Sequence, residues 1–306
     1  MNLMNIVILA IVQGLAELLP VSSSAHVVVA EKLLGLDPSS PPMTLLLVML
    51  HTGTMFAVIV YFWRTWRSSY FRDAAALRSI AKAVIAATAV TGVIGFGVIK
   101  LVEKTAFANV PKPEIEDLFS HLEFIAPALA AAGVLILIAG LLERRKSGGR
   151  RTASAVSGGS HRDPHADPHG DPDPDLRQAG LIGAVQGLCL PFRGFSRSGA
   201  TISAGMLLGL TKMSAETFSF ALAVVLTPPV VAREAWRLVR AERLAGAASL
   251  GSTALMSVLG AAIAFGAGLV ALKWLSGWLE RGRWYLFGIY CLVAAAAVYA
   301  LHAAGY

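Results

Sequence analysis

The sequence predicts an all-α polytopic membrane protein, an inverted-topology repeat of about six transmembrane helices plus two broken re-entrant helix pairs. Three observations predict it. Hydrophobic residues make up 56% of the 306-residue chain and charged residues only 15%, well below the roughly 25% charged content of a soluble domain. The apolar residues fall in blocks close to the ~20-residue length of a membrane span. Two further apolar regions, 3–34 and 179–210, are interrupted midway by Pro, Ser and Gly, in related ways.

The uninterrupted blocks lie at roughly 43–63, 80–101, 124–142, 213–232, 244–271 and 284–302. The first broken region reads IVQGLAELLPVSSSAHVVVA and the second AVQGLCLPFRGFSRSGATISAGMLLGL. A break facing lipid would leave its N–H and C=O groups unpaired, so such backbone belongs where protein buries it or water reaches it. Ile11-Val12-Gln13-Gly14-Leu15 matches Ala184-Val185-Gln186-Gly187-Leu188, and each is followed by Pro, serines and three candidate spans. Three is odd, so the halves have opposite orientation, and paired broken helices then mark the site. The single membrane domain divides into a first repeat at 1–142, a polar linker at 143–178 and a second repeat at 179–306.

The net charge is +7, from 26 Lys and Arg against 19 Asp and Glu. These basic residues sit mostly in short loops between apolar blocks, which points to cytoplasmic loops rather than to a nucleic-acid partner. Segment 64–82 holds Arg64, Arg67, Arg72, Arg78 and Lys82 against Asp73, and 143–178 opens Glu143-Arg144-Arg145-Lys146; both belong inside. Segment 103–123 is acidic and belongs outside; 272–283 is basic and belongs inside; 233–243 is also basic, against the placement the inverted plan gives it. Cys189 and Cys291 both lie in apolar segments, which suggests no disulfide framework. The N-terminus lacks a basic n-region and a small-residue cleavage site, as mature protein does.

The linker is rich in Pro, Gly, Ser and charge, so it is expected to be disordered. His161, His165 and His169 recur every four residues between aspartates. The interleaved prolines forbid the helix that would align these imidazoles on a metal, and the stretch reads as a solvated linker.

Polar residues in the broken regions are few. The first holds Gln13, Glu17, Ser22, Ser23, Ser24 and His26; the second Gln186, Arg193, Ser196, Arg197, Ser198 and Thr201. Ionisable groups inside a membrane domain are costly and normally face a cavity. Gln13 and Glu17 share a helix face, and the expected cationic partners of Glu17 are Arg193 and Arg197. Two arginines suit an anion. Serines at restarting helices add hydroxyls and free N–H groups under a favourable dipole. This is a set for handling phosphate, with Glu17 and His26 adding acid–base capacity or a metal ligand.

The run Gln13-Gly14-Leu15-Ala16-Glu17-Leu18-Leu19-Pro20-Val21-Ser22-Ser23-Ser24-Ala25-His26 resembles the first signature of the undecaprenyl-diphosphatase family of the bacitracin-resistance type. Gly194-Phe195-Ser196-Arg197-Ser198-Gly199-Ala200-Thr201 resembles the second. The resemblance implies hydrolysis of undecaprenyl diphosphate to the monophosphate carrier for cell-wall synthesis, with a divalent metal, Mg or Ca. It also implies an inner-membrane location and a site open to the periplasmic side. It puts Glu17, Ser23, His26, Ser196, Arg197 and Thr201 on functional positions, with Ser22 in the phosphate-binding serine pair. Gln13 falls where many members have Glu. Arg193 replaces the proline before the loop glycine, the proline being displaced to Pro191, and His51 stands where a glutamine is expected.

Glu17, Ser23, His26 and Arg197 are thus the expected catalytic set. Ser22, Ser196, Arg197, Ser198, Thr201 and Arg193 are expected to hold the diphosphate, and Glu17 with Gln13 the metal. The nucleophile is Ser23, His26 or an activated water. The alternative class is a transporter or flippase of an anionic polyprenyl phosphate lipid, because inverted repeats with broken helices are also transporter architecture. Small residues from Gly260 to Gly268 would permit a homodimer. Residues 147–178 should be dispensable: replaced by a short Gly/Ser linker, they should leave phosphate release by the purified protein unchanged.

Overall fold

The computed structural model describes residues 2–37, 40–106, 122–156, 173–245 and 250–304. Among them are ten helices and no strand. In chain order these are α1 (Leu3–Leu18), α2 (Ser23–Leu33), α3 (Pro41–Ser69), α4 (Ala74–Ala106), α5 (Leu122–Val156), α6 (Leu176–Cys189), α7 (Arg197–Leu207), α8 (Lys212–Ala245), α9 (Leu250–Glu280) and α10 (Tyr285–Ala303). Six of them, α3, α4, α5, α8, α9 and α10, are long and apolar enough to cross a membrane. The protein is a multi-pass membrane protein.

The broken regions fold as two helix pairs. At 1.5 Å per residue, α1 is about 24 Å long and α2 about 16 Å. Neither alone crosses the ~30 Å hydrocarbon core. Pro20 and the serines end α1 and restart the chain as α2; Pro191 and Gly194 do the same between α6 and α7.

Four helix contacts form two matched pairs between the halves. α1 lies against α9 and α6 against α4, while α5 meets α10 and α3 meets α8. Glycines of the matched motif make the first two crossings. A Cβ on Gly14 would stand 2.7 Å from the Ala264 carbonyl oxygen, and one on Gly187 would stand 2.8 Å from that of Thr91. Gly133 and Gly288 face each other across the α5–α10 crossing. Without a hydrophobic drive between helices in lipid, such close backbone approach supplies the dispersion that associates them. Between α3 and α8, Phe62 stacks on Phe220 and the Trp66 indole N–H donates to the Thr217 carbonyl.

Several boundaries differ from the sequence reading. α3 continues to Ser69 and α4 starts at Ala74, so most of basic segment 64–82 is helical. Likewise α8 runs through 233–243 to Ala245, and α9 continues to Glu280 through most of 272–283. A 29-residue helix is about 43 Å long and overshoots the hydrocarbon; its charged ends remain helical because their long side chains reach water. The expected disorder of 143–178 is also corrected at both ends. α5 extends to Val156, and α6 begins in a capping box formed by Asp175 and Gln178. Residues 157–172, with His161, His165 and His169, lie outside the described residues, as does most of acidic segment 103–123. Linker replacement should therefore be confined to 157–172. The small-residue face of α9 is used within the chain: Gly260 packs on Leu46 and Leu50, and Gly268 on Ala57 and Leu18. Ala262 and Gly266, on another side of α9, stay exposed.

Candidate active site

The two helix breaks meet at Glu17. One carboxylate oxygen, Oε1, accepts from Arg197 Nη2 at 3.0 Å. The other, Oε2, accepts from Ser23 Oγ at 2.5 Å and from Gln13 Nε2 at 3.1 Å. His51 Nε2 stands 3.7 Å from the same oxygen. Gln13 and Glu17 reach one point because they are a helical turn apart on α1. Ser23 arrives from the first residue of α2, and Arg197 from the first residue of α7. The ion pair thus ties residues 180 positions apart and joins the two broken regions. Its arms are 14% and 27% exposed, so it is a partly desolvated contact.

The chain reaches this arrangement through two unusual backbone positions. Ser22 has φ +66°, the one non-glycine residue with positive φ among those described. Such a conformation costs about 1–3 kcal/mol and persists only when its surroundings fix it. Here the Ser22 carbonyl accepts from His26 Nδ1 at 2.8 Å, and its hydroxyl lies 3.3 Å from that of Ser24. Gly194 has φ +103°, and a Cβ there would stand 2.5 Å from the Ile125 carbonyl oxygen. Both the turn and the close approach require glycine. The Gly194 N–H then donates to Ser24 Oγ at 3.3 Å, a second bond between the two breaks.

Around α7, Ser196 caps the helix by accepting from the Gly199 N–H at 3.2 Å. Ser198 donates to the Leu19 carbonyl at 3.5 Å. Thr201 donates to the Arg197 carbonyl at 2.9 Å and pairs with Ser219 on α8. All three are buried. Their hydroxyls hold the first turn of α7 that presents Arg197. In this arrangement Ser196 and Thr201 bond to the backbone of α7 and to Ser219.

Arg193 and Arg197 separate. The charge of Arg193 acts on Glu31 of α2, whose carboxylate is buried. Of the two expected partners, Arg197 is the one that pairs with Glu17, with His51 at 3.7 Å on its other oxygen. His26 also points elsewhere. With Nδ1–H donated to Ser22, its Nε2 is the acceptor for the Tyr290 hydroxyl at 2.7 Å, and the rings stack at 12°. The cavity beside Glu17 is lined by His51, Thr54, Arg197 and Thr227, from α3, α7 and α8, and not by His26.

Sequence reasoning missed three participants. His51 was noted only as an odd substitution, although a histidine within an apolar span already signals a site. Tyr290 gave no signal, since a tyrosine near a span's edge is ordinary. Ser24 was read as one of a cluster and not as the bridge to Gly194.

As a metal site, the residues offer one carboxylate, Glu17, and one amide, Gln13. No group of three His, Cys, Asp or Glu converges among the described residues. These hard oxygen donors fit Mg²⁺ or Ca²⁺ only as an ion that draws its other ligands from phosphate and water, as Mg²⁺ commonly does.

The family described as "Bacitracin resistance protein BacA" matches residues 6–297. The chain is 53% identical over 304 residues to undecaprenyl-diphosphatase 2 of Acinetobacter baylyi, covering 98% of each chain. It is 34% identical to the undecaprenyl-diphosphatase of Anaeromyxobacter sp. strain Fw109-5, over 97% of this chain and 87% of that one. It is 32% identical to that of Rhodopirellula baltica, over 98% of both. With residues 6–297 matched by the family and relatives similar over nearly its whole length, the chain belongs to the bacitracin resistance protein BacA family.

Proposed function

We propose that this protein hydrolyses undecaprenyl diphosphate to undecaprenyl phosphate and inorganic phosphate, returning the lipid carrier to cell-wall synthesis and so conferring bacitracin resistance. The observation that carries the reading is the Glu17–Arg197 ion pair between the two breaks, with Ser23 on the same carboxylate. The names borne by the similar proteins supply the substrate. The site belongs on the periplasmic side of the inner membrane, where the diphosphate enters from the lipid.

The cavity at Glu17 is narrow, about 10 Å³, room for roughly one water. A diphosphate must therefore part Glu17 from Arg197. Arg197 then forks onto phosphate oxygens, and Glu17, freed of its cation, becomes a base. Of the three candidate nucleophiles, geometry favours Ser23, whose hydroxyl already faces Glu17, while Tyr290 occupies His26 Nε2. Glu17 takes the Ser23 proton as the Oγ–P bond forms at the terminal phosphorus. The P–O bond to the bridging oxygen breaks and its electron pair leaves on the lipid phosphate. The Ser23 proton passes from Glu17 to the departing lipid phosphate. Glu17, ionised again, takes a proton from water as the water oxygen bonds to phosphorus. The P–Oγ bond breaks, and the proton returns to Ser23 Oγ with release of inorganic phosphate. Glu17 and Gln13 would hold a divalent ion, Mg or Ca, which supplies charge neutralisation when bound.

Purified protein in detergent should release inorganic phosphate from a polyprenyl diphosphate. A protein that only transports an anionic lipid releases none, and that outcome would overturn the reading. Tyr290→Phe keeps the stacked ring and removes one hydrogen bond, worth about 1 kcal/mol net. His26 lies outside the cavity at Glu17 and takes no part in the Ser23 step, so kcat and KM should each stay within about twofold in steady-state assays, and a larger loss of kcat would return His26 to the reacting groups.

A further inference from the structure

Away from the active site, a second feature has the form of a ligand site. The first two turns of α4 and the approach to α6 enclose a cleft of about 420 Å³ lined by Arg78, Ser79, Lys82 and Asp175. That is within the size range of small-molecule sites. Its charge is cationic in effect. Asp175 is engaged in capping, its carboxylate accepting from the Gln178 N–H. Arg72, before α4, pairs with Asp73 at 3.2 Å and also acts on Asp173. Arg78 spends only its Nε, on the Ala74 carbonyl. Neither Arg78 nor Lys82 pairs with a carboxylate among the described residues.

Below the cleft the same helix face is bare. At spacings of four, three, four, four and three, Arg78, Lys82, Ile85, Ala89, Val93 and Phe96 form one stripe along α4. All six are exposed; Ile85, Val93 and Phe96 are 67%, 72% and 64% so. α4 is the least covered of the six spans. From Ile85 to Phe96 is about 16 Å at 1.5 Å per residue, close to the ~15 Å of one hydrocarbon leaflet. At the α3–α4 turn that precedes Arg78 in the chain, exposed Trp63 and Phe71 meet at 6.2 Å, an aromatic pair of the kind that sits at headgroup level.

We propose that this cleft and stripe bind one anionic glycerophospholipid, its phosphate held by Arg78, Lys82 and Ser79 and an acyl chain lying along Ile85 to Phe96. The charge selects an anionic over a zwitterionic headgroup, and the length of the stripe selects a lipid over a free phosphate.

Native mass spectrometry of the full chain tests it. Released from detergent with equal phosphatidylglycerol and phosphatidylcholine, the protein should retain one phosphatidylglycerol in preference. Arg78→Gln with Lys82→Gln should lower that retention about tenfold, since each cation adds to headgroup attraction. The charge-preserving pair Arg78→Lys with Lys82→Arg should retain it, which separates loss of charge from loss of fold. Equal retention by the charge-removed and wild-type proteins would overturn the proposal. So would equal retention of phosphatidylcholine, preference for a polyprenyl phosphate over phosphatidylglycerol, displacement by inorganic phosphate alone, or a dimer that hides Arg78 and Lys82.

Discussion

Arg197→Ala should lower turnover of a polyprenyl diphosphate by more than about a thousandfold, and Arg197→Lys by about a hundred- to a thousandfold. The guanidinium has two tasks. It holds Glu17 in the resting site at 3.0 Å, and it then forks onto the phosphate that displaces it. Lysine offers a point charge and cannot span two oxygens. Stabilising charge that develops on a transferred group is typically worth about 3–4 kcal/mol, or two to three decades. Arg193→Ala should be milder, raising the half-saturating substrate concentration by about tenfold or less. Its charge acts on Glu31. Turnover and half-saturation for both alanine variants distinguish these roles. A dead Arg193→Ala beside a mild Arg197→Ala would mean that the arginine before Gly194 is the phosphate ligand.

The contrast between these two arginines shows how far the sequence could be read. Spaced by four, they would share a face if the chain were helical between them. Gly194 at φ +103° and the cap at Ser196 intervene, so spacing carries no information about direction. The broken helices themselves were legible, because Pro and clustered Ser inside apolar runs have few other physical outcomes. The matched Gly14 and Gly187 were legible as a repeat, and both prove to be places where a second helix backbone allows no side chain. Helix ends were not legible. Charged residues such as Arg64, Arg233 and Lys273 marked where hydrocarbon ends, which is not where α3, α8 and α9 end. The Glu17–His51 contact could not be read either, because it depends on how α3 is rotated against α1, which neither segment fixes alone.

Glu17→Gln is expected to abolish turnover while leaving the protein folded. The substitution keeps the shape of the side chain, so size-exclusion behaviour in detergent should be unchanged. What it cannot keep is the pattern of donors. Glu17 receives Arg197 Nη2 on one oxygen and Ser23 Oγ with Gln13 Nε2 on the other. All three point a proton at an acceptor. A glutamine has one acceptor end and one NH₂ end, so one partner set must face a donor. If the NH₂ turns to Arg197, the arginine loses its anchor in the resting site. If it turns to Ser23 and Gln13, Ser23 loses the base that would take its proton. Either way the neutral amide accepts no proton at working pH, and loss of a general base costs roughly two to four decades. Glu17→Asp keeps the charge but draws it back by one methylene, and should retain partial turnover. Phosphate release measured across a divalent-ion titration checks both variants. Near wild-type turnover by Glu17→Gln at low metal would remove Glu17 from proton transfer and from ion binding together, and would leave Ser23 without an activating group.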